Sequence, residues 1–154
     1  MSRAFVKEQD GAEGEELPDR LISEHANLVT KEGLQQIEAE VQRLSAEHAA
    51  AQASEDRARM AATARDLRYW SARLASAELV AAVTDGGRVH FGSTVTILRG
   101  DGRRQTFRIV GEDEADPAKG TLSYVSPLAR ALVGRAVGDT VRVGDGEAEV
   151  LEVG

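Results

Sequence analysis

From Thr30 onward the chain settles into a helical period. Leu34, Ile37, Val41, Leu44, His48 and Ala51 follow at intervals of 3, 4, 3, 4 and 3 residues, the spacing of a coiled-coil seam. Thr30 suits the N-cap of such a helix, because its hydroxyl can accept a hydrogen bond from an amide two or three residues on. A second helical pattern runs through Met60, Ala64, Leu67, Trp70, Leu74 and Ala77. Neither proline nor glycine interrupts residues Leu34 to Val80, so the pattern predicts two long helices or one very long one.

Charge separates these alternatives. The first arm, from Lys31 to Glu55, carries Lys31 and Arg43 against Glu32, Glu38, Glu40, Glu47 and Glu55; the second, from Arg57 to Val80, carries Arg57, Arg59, Arg65, Arg68 and Arg73 against Asp66 and Glu78. Arms of opposite net charge suit an antiparallel hairpin, with its bend between Ala53 and Asp56. A continuous helix that dimerises with a second chain, as in a coiled-coil adaptor, is the structural alternative. Sedimentation separates the two, since the hairpin predicts a monomer of 16.5 kDa.

Past Ala82 the period shortens to two. Residues 92–98 (GSTVTIL) and 105–110 (QTFRIV) alternate as strands and are joined by Gly100-Asp101-Gly102, a hairpin turn by its chemistry. Further strands are predicted at 121–125, 139–143 and 148–153. Between them Ser126 caps a short helix, with Pro127 at its first position and Gly134 closing it. Strands crossed by one helix make a small antiparallel α+β domain. Residues 1–27, polar and acidic, read as a mobile tail with Leu17, Leu21 and Ile22 as its docking residues. The expected organisation is therefore a tail (1–27), a helical hairpin (28–82) and a C-terminal domain (83–154).

Composition narrows the chemistry. The 154 residues include no cysteine and three histidines, and 19 basic against 26 acidic side chains give a net charge of −7. A disulfide scaffold and a thiolate zinc site are excluded, cytosolic residence is the expectation, and a basic nucleic-acid-binding face is not indicated. No apolar run approaches the roughly 18 residues of a membrane span, and the first residues lack the apolar core of a signal peptide. One Trp, two Tyr and three Phe are few for a chain this long. The deficit lies where alanine supplies fourteen of the 37 residues from Ala46 to Ala82, as expected of helices with little core to fill.

Several short motifs are more specific. GRVHFG (87–92), STVTI, FRIVG followed by EDEAD (112–116), SPLARALVG (126–134) and VGD (137–139) resemble, in order and spacing, the C-terminal FKBP-like domain of the GreA/GreB transcript cleavage factors. LVTKEG (28–33) looks like the start of that family's coiled coil. The resemblance implies a bacterial transcription elongation factor that is not itself an enzyme. Its FKBP-like domain would dock on RNA polymerase at the rim of the secondary channel, and its coiled coil would project into the channel. Tip carboxylates would then help hold Mg²⁺ in the polymerase's own active site and stimulate cleavage of backtracked RNA, since hard cations take oxygen ligands and two metals can stabilise attacking and leaving oxygens.

Carried onto this sequence, the resemblance makes Asp56 and Glu55 the candidate catalytic and Mg²⁺-facing tip carboxylates, with no cofactor of the chain's own. Ser126, Pro127, Leu128, Ala129 and Val125 become the candidate polymerase-binding turn; one branch of the family has an acidic residue where Val125 stands. The family's tip motif places a Glu three positions after its Asp, where this chain has Arg59. The family's arms also look longer by roughly nine residues, about 13 Å at helical rise. Two forms stay open: a cleavage stimulator, and a channel-binding regulator without cleavage. A peptidyl-prolyl isomerase is the alternative from fold analogy, against which residues 81–154 hold only Phe91, Phe107 and Tyr124. The run Glu112, Asp113, Glu114, Asp116 reads as a solvated loop, and His48 as a seam histidine.

Overall fold

The computed structural model describes residues 16–83 and 86–154; the part of the expected tail before Glu16 lies outside the described residues. The chain divides into two compact units, one of residues 37–76 with the N-terminal segment up to Glu24, the other of residues 25–36 and 77–154.

The first unit is the helical hairpin. Helix α1, which begins in the other unit, spans Lys31–Ala53, and helix α2 spans Arg57–Ser76. The single continuous helix is thereby replaced by two. Ile37, Leu44 and Ala51 are buried along α1, one heptad apart, as the seam requires. On α2 the buried positions are Thr63 and Arg73, whereas Met60, Ala64, Leu67, Trp70 and Leu74 are half-buried. His48 Nδ1 lies 2.8 Å from Thr63 Oγ1 across the two arms, and Thr63 Oγ1 donates to the Arg59 carbonyl at 2.8 Å.

Residues 16–20, expected to be tail, lie against α2. Arg68 Nε pairs with Asp19 Oδ1 at 2.5 Å, and Arg20 lies over the Tyr69 ring at 3.9 Å. Leu21 and Ile22, expected to dock, are instead exposed, Leu21 at 96%.

The second unit is a five-stranded sheet with one short helix. Strands β3 (Thr94–Arg99), β4 (Arg104–Val110), β5 (Thr121–Ser123), β6 (Thr140–Val143) and β7 (Gly146–Val153) are ordered β5-β4-β3-β7-β6. All neighbours are antiparallel except β4 and β5, so the sheet is mixed rather than purely antiparallel. The register of β3 on β7 shifts between Thr96 and Ile97. Helix α3 (Pro127–Leu132) packs on β6 and contributes Leu128, Ala129 and Leu132 to a core with Val95, Ile97, Ile109, Leu122, Val141 and Val150. Burial of each large aliphatic side chain stabilises by roughly 1.5–3 kcal/mol.

Two elements were not legible beforehand. Strands β1 (Leu28–Val29) and β2 (Glu78–Leu79) pair in parallel, which draws residues 25–36 into this unit rather than into the hairpin.

Candidate functional site

The hairpin tip is built without glycine. The Asp56 amide donates to the Ala51 carbonyl at 3.0 Å and the Glu55 amide to the Gln52 carbonyl at 3.2 Å, the paired bonds of a Schellman ending in which the closing residue adopts left-handed backbone. Glu55 takes that position, with φ of 55°, where glycine is usual. Asp56 follows at once as the N-cap of α2, its Oδ1 accepting from the Arg59 amide at 3.1 Å. One residue thus ends α1 and the next starts α2.

That geometry defines what the two tip carboxylates can do. Both are exposed, as are Arg57 and Arg59. Asp56 has one oxygen committed to the helix, and Glu55 emerges from a backbone of opposite hand one residue earlier. Among the described residues no group of three or more His, Cys, Asp or Glu side chains is placed to hold a metal ion. Two exposed carboxylates, one of them capping, do not make a metal site of the chain's own; a Mg²⁺ taken by one or two carboxylates would keep its other oxygens from water or from a partner's groups. Arg59 occupies the first turn of α2 in place of an acid, adding positive charge at the helix end where the dipole favours negative.

The candidate docking turn lies in the second unit. Ser126 caps α3, its hydroxyl accepting from the Ala129 amide at 3.3 Å, and Pro127 takes the first helical position. Leu128 and Ala129 are buried, at 9% and 0% exposure. Their side chains therefore hold the turn on the core, with Leu132 beside them. Pro127 and Arg130 are exposed, and Val125 and Ser126 half-buried. Beside the turn His25, Tyr124, Val125, Arg130 and Val133 line a depression of about 350 Å³. Phe91 packs edge-on against Tyr124 at 5.6 Å, and Phe107 lies against the core. The aromatics of this unit are thus engaged in packing.

One residue of the acidic run has a role that charge patterning missed. The Glu114 carboxylate accepts from the Thr30 amide (3.1 Å), the Thr30 hydroxyl (2.5 Å) and the Gly111 amide (3.2 Å). Thr30 in turn caps α1, its hydroxyl accepting from the Gly33 amide at 3.0 Å, as the sequence predicts. Glu114 is thus an anion at a helix N-terminus, which the macrodipole favours, and not a solvated loop residue. Asp116 caps a short 3-10 turn (Pro117–Lys119). Beside Thr30, Glu32 is held below the usual carboxylate range by its backbone amide and by Arg108. That contribution is present above its unfolded pKa and fades as pH falls through the lowered one.

Residues 84–154 match the family model described as transcription elongation factor GreA/GreB, C-terminal. Transcription elongation factor GreB of Neisseria meningitidis serogroup A is 44% identical over 103 residues, 62% of this chain and 62% of that one. Transcription elongation factor GreA of Alkalilimnicola ehrlichii is 46% identical over 88 residues, 53% and 56% of the two chains. The chain thus spans about six-tenths of the length of such curated relatives. Among solved structures, the GreA factor homolog Gfh1 of Thermus thermophilus covers 84% of this chain and 99% of its own, with 24% identity and a TM-score of 0.41. No helix of the described residues is long and apolar enough to cross a membrane.

Proposed function

We propose that the chain, whose residues 84–154 match the C-terminal model of GreA/GreB, is a member of that family and a cytoplasmic regulator of transcription elongation that binds bacterial RNA polymerase. It docks at the secondary channel by the turn at Ser126 and Pro127 and presents the α1–α2 hairpin to the channel. It acts on the polymerase's own chemistry, as a monomer, and carries no active site.

The observation that supports one of the two forms of this activity over the other is the tip. Asp56 is engaged as a helix cap, and the side chain three residues on is Arg59. This favours occupation of the channel over stimulation of RNA hydrolysis, because a positioned reaction tolerates little misplacement, about 1 Å already costing up to a hundredfold. The test is transcript cleavage by backtracked polymerase with and without the chain. Binding without acceleration supports channel occupation, acceleration supports cleavage stimulation, and no association overturns both.

Docking and tip should separate in mutants. Ser126→Ala with Pro127→Ala removes the cap and the preset first turn of α3, and polymerase affinity is expected to fall about tenfold, a cost of order 1 kcal/mol or slightly more. Glu55→Ala with Asp56→Ala is expected to leave affinity within about twofold, while loss of the Asp56 cap costs the hairpin about 1 kcal/mol. Fluorescence anisotropy against core polymerase and urea unfolding read the two quantities.

A further inference from the structure

Helix α2 carries five arginines, Arg57, Arg59, Arg65, Arg68 and Arg73, against one acid, Asp66. Arg73 is buried; Arg57, Arg65 and Arg68 fall in one sector of the helix, the face that a partner of this arm would meet, while Arg59 lies on the opposite side. Part of that face is already covered by the chain itself. Arg68 is paired with Asp19 and also donates through its other end to the Leu17 carbonyl at 3.3 Å. Arg20 reaches Asp66 at 3.5 Å and lies over Tyr69, with the Trp70 ring centre 6.0 Å away. The segment therefore follows α2, from Asp66 and Tyr69 at Arg20 to a hollow at Glu16 that is shared with Arg57 and Met60.

The way this segment is held is unusual for a structural element. Its ion pairs are open to solvent, with Arg68 and Asp19 side chains 51% and 72% exposed, and Leu21 and Ile22 beside them bury little. Exposed pairs contribute roughly 0.2–1 kcal/mol each and weaken with salt. Under the segment a hollow of about 640 Å³ remains, lined by Leu17, His48, Met60, Ala61 and Ala64 among others. A contact that is mostly ionic and poorly packed is suited to being displaced.

We propose that residues 16–20 are a releasable strap, an internal stand-in for an acidic, extended segment of a partner protein, which must displace it to reach the arginine face of α2. The strap itself shows the chemistry that the face accepts: a carboxylate from Asp19 and a main-chain carbonyl from Leu17. The identification of that partner with RNA polymerase rests on the function proposed above, so strap and partner are read by separate signals.

The strap is read by Trp70, the chain's single tryptophan, in the full-length protein. Its emission should shift between about 50 mM and 500 mM salt in the wild type, and at low salt the double variant Asp19→Ala, Arg20→Ala should already show the high-salt spectrum. The partner is read by affinity for core polymerase at low salt. The double variant should bind about tenfold tighter, because a face that is mostly self-occupied binds in proportion to its open fraction, and the difference should vanish near 500 mM salt. Identical Trp70 spectra for the two proteins overturn the strap. A changed spectrum with equal or weaker polymerase binding by the variant overturns the competition, as does tightening seen for single-stranded RNA alone. Absence of binding by either protein overturns the polymerase reading and the competition with it, and leaves the strap to be decided by Trp70.

Discussion

Gly111→Ala is expected to destabilise the sheet unit by about 3 kcal/mol or more. A Cβ at this position would lie 2.3 Å from the Leu28 carbonyl oxygen and 3.3 Å from Glu114 Oε2. The first of these is backbone and cannot swing aside. Leu28 lies in β1, which is tied to β2 by the Glu78 amide on the Asn27 carbonyl (2.8 Å) and the Val80 amide on the Val29 carbonyl (3.0 Å). Making room therefore means moving a strand and the start of α1 with it, or losing those bonds. Hydrogen exchange in the full-length chain checks this: amides of β1, β2 and the 111–116 loop should lose protection first. A variant whose exchange and urea midpoint match the wild type would show that Leu28 shifts at no cost.

The same corner of the molecule shows what sequence reasoning reached and where it stopped. The seam of α1 was legible because burial of Ile37, Leu44 and Ala51 follows from apolar spacing alone. The strands were legible because alternation and glycine turns mark them. The face of α2 was not, since an arginine at 2% exposure (Arg73) contradicts the ordinary preference of its side chain for water. The bend at Glu55 gave only a faint signal because a Schellman ending normally shows itself by glycine, and here a glutamate takes the left-handed backbone. Strands β1 and β2 are two residues each and pair across some fifty positions, too short for any period to register.

The candidate site was legible unevenly for similar reasons. Ser126-Pro127 reads as a helix start from local chemistry, and the structure gives that start. The full burial of Leu128 and Ala129 comes from the sheet on which α3 lies, which the six residues of α3 alone do not show. Glu114 was hidden among acids, although a signal existed in the two glycines that flank its carboxylate in space. Gly33, inside a helix, and Gly111, at the end of a strand, are both residues that cost stability unless something approaches too closely for a side chain.

That reasoning makes Gly33 and Glu114 a coupled pair, and the sign of one substitution should depend on the other. In the wild type a Cβ at Gly33 would sit 2.1 Å from Glu114 Oε2 and 2.5 Å from its Cδ. Gly33→Ala must push the carboxylate off the Thr30 amide, the Thr30 hydroxyl and the Gly111 amide. A hydrogen bond to a charged group contributes roughly 1.5–3 kcal/mol net, part of which the displaced, flexible carboxylate regains from new partners, against at most about 1 kcal/mol gained from alanine's helix preference. The single variant should therefore lose about 1–2 kcal/mol. Glu114→Ala alone should lose about 2–3 kcal/mol, because two amides and a hydroxyl are left to water. With the carboxylate gone, the space beside Gly33 is open, and Gly33→Ala should now stabilise, by up to about 1 kcal/mol. The coupling energy of the double-mutant cycle is then about 2 kcal/mol. Urea unfolding of the four full-length proteins measures it; additive effects would mean that Glu114 moves aside freely and that the start of α1 is not held by its carboxylate.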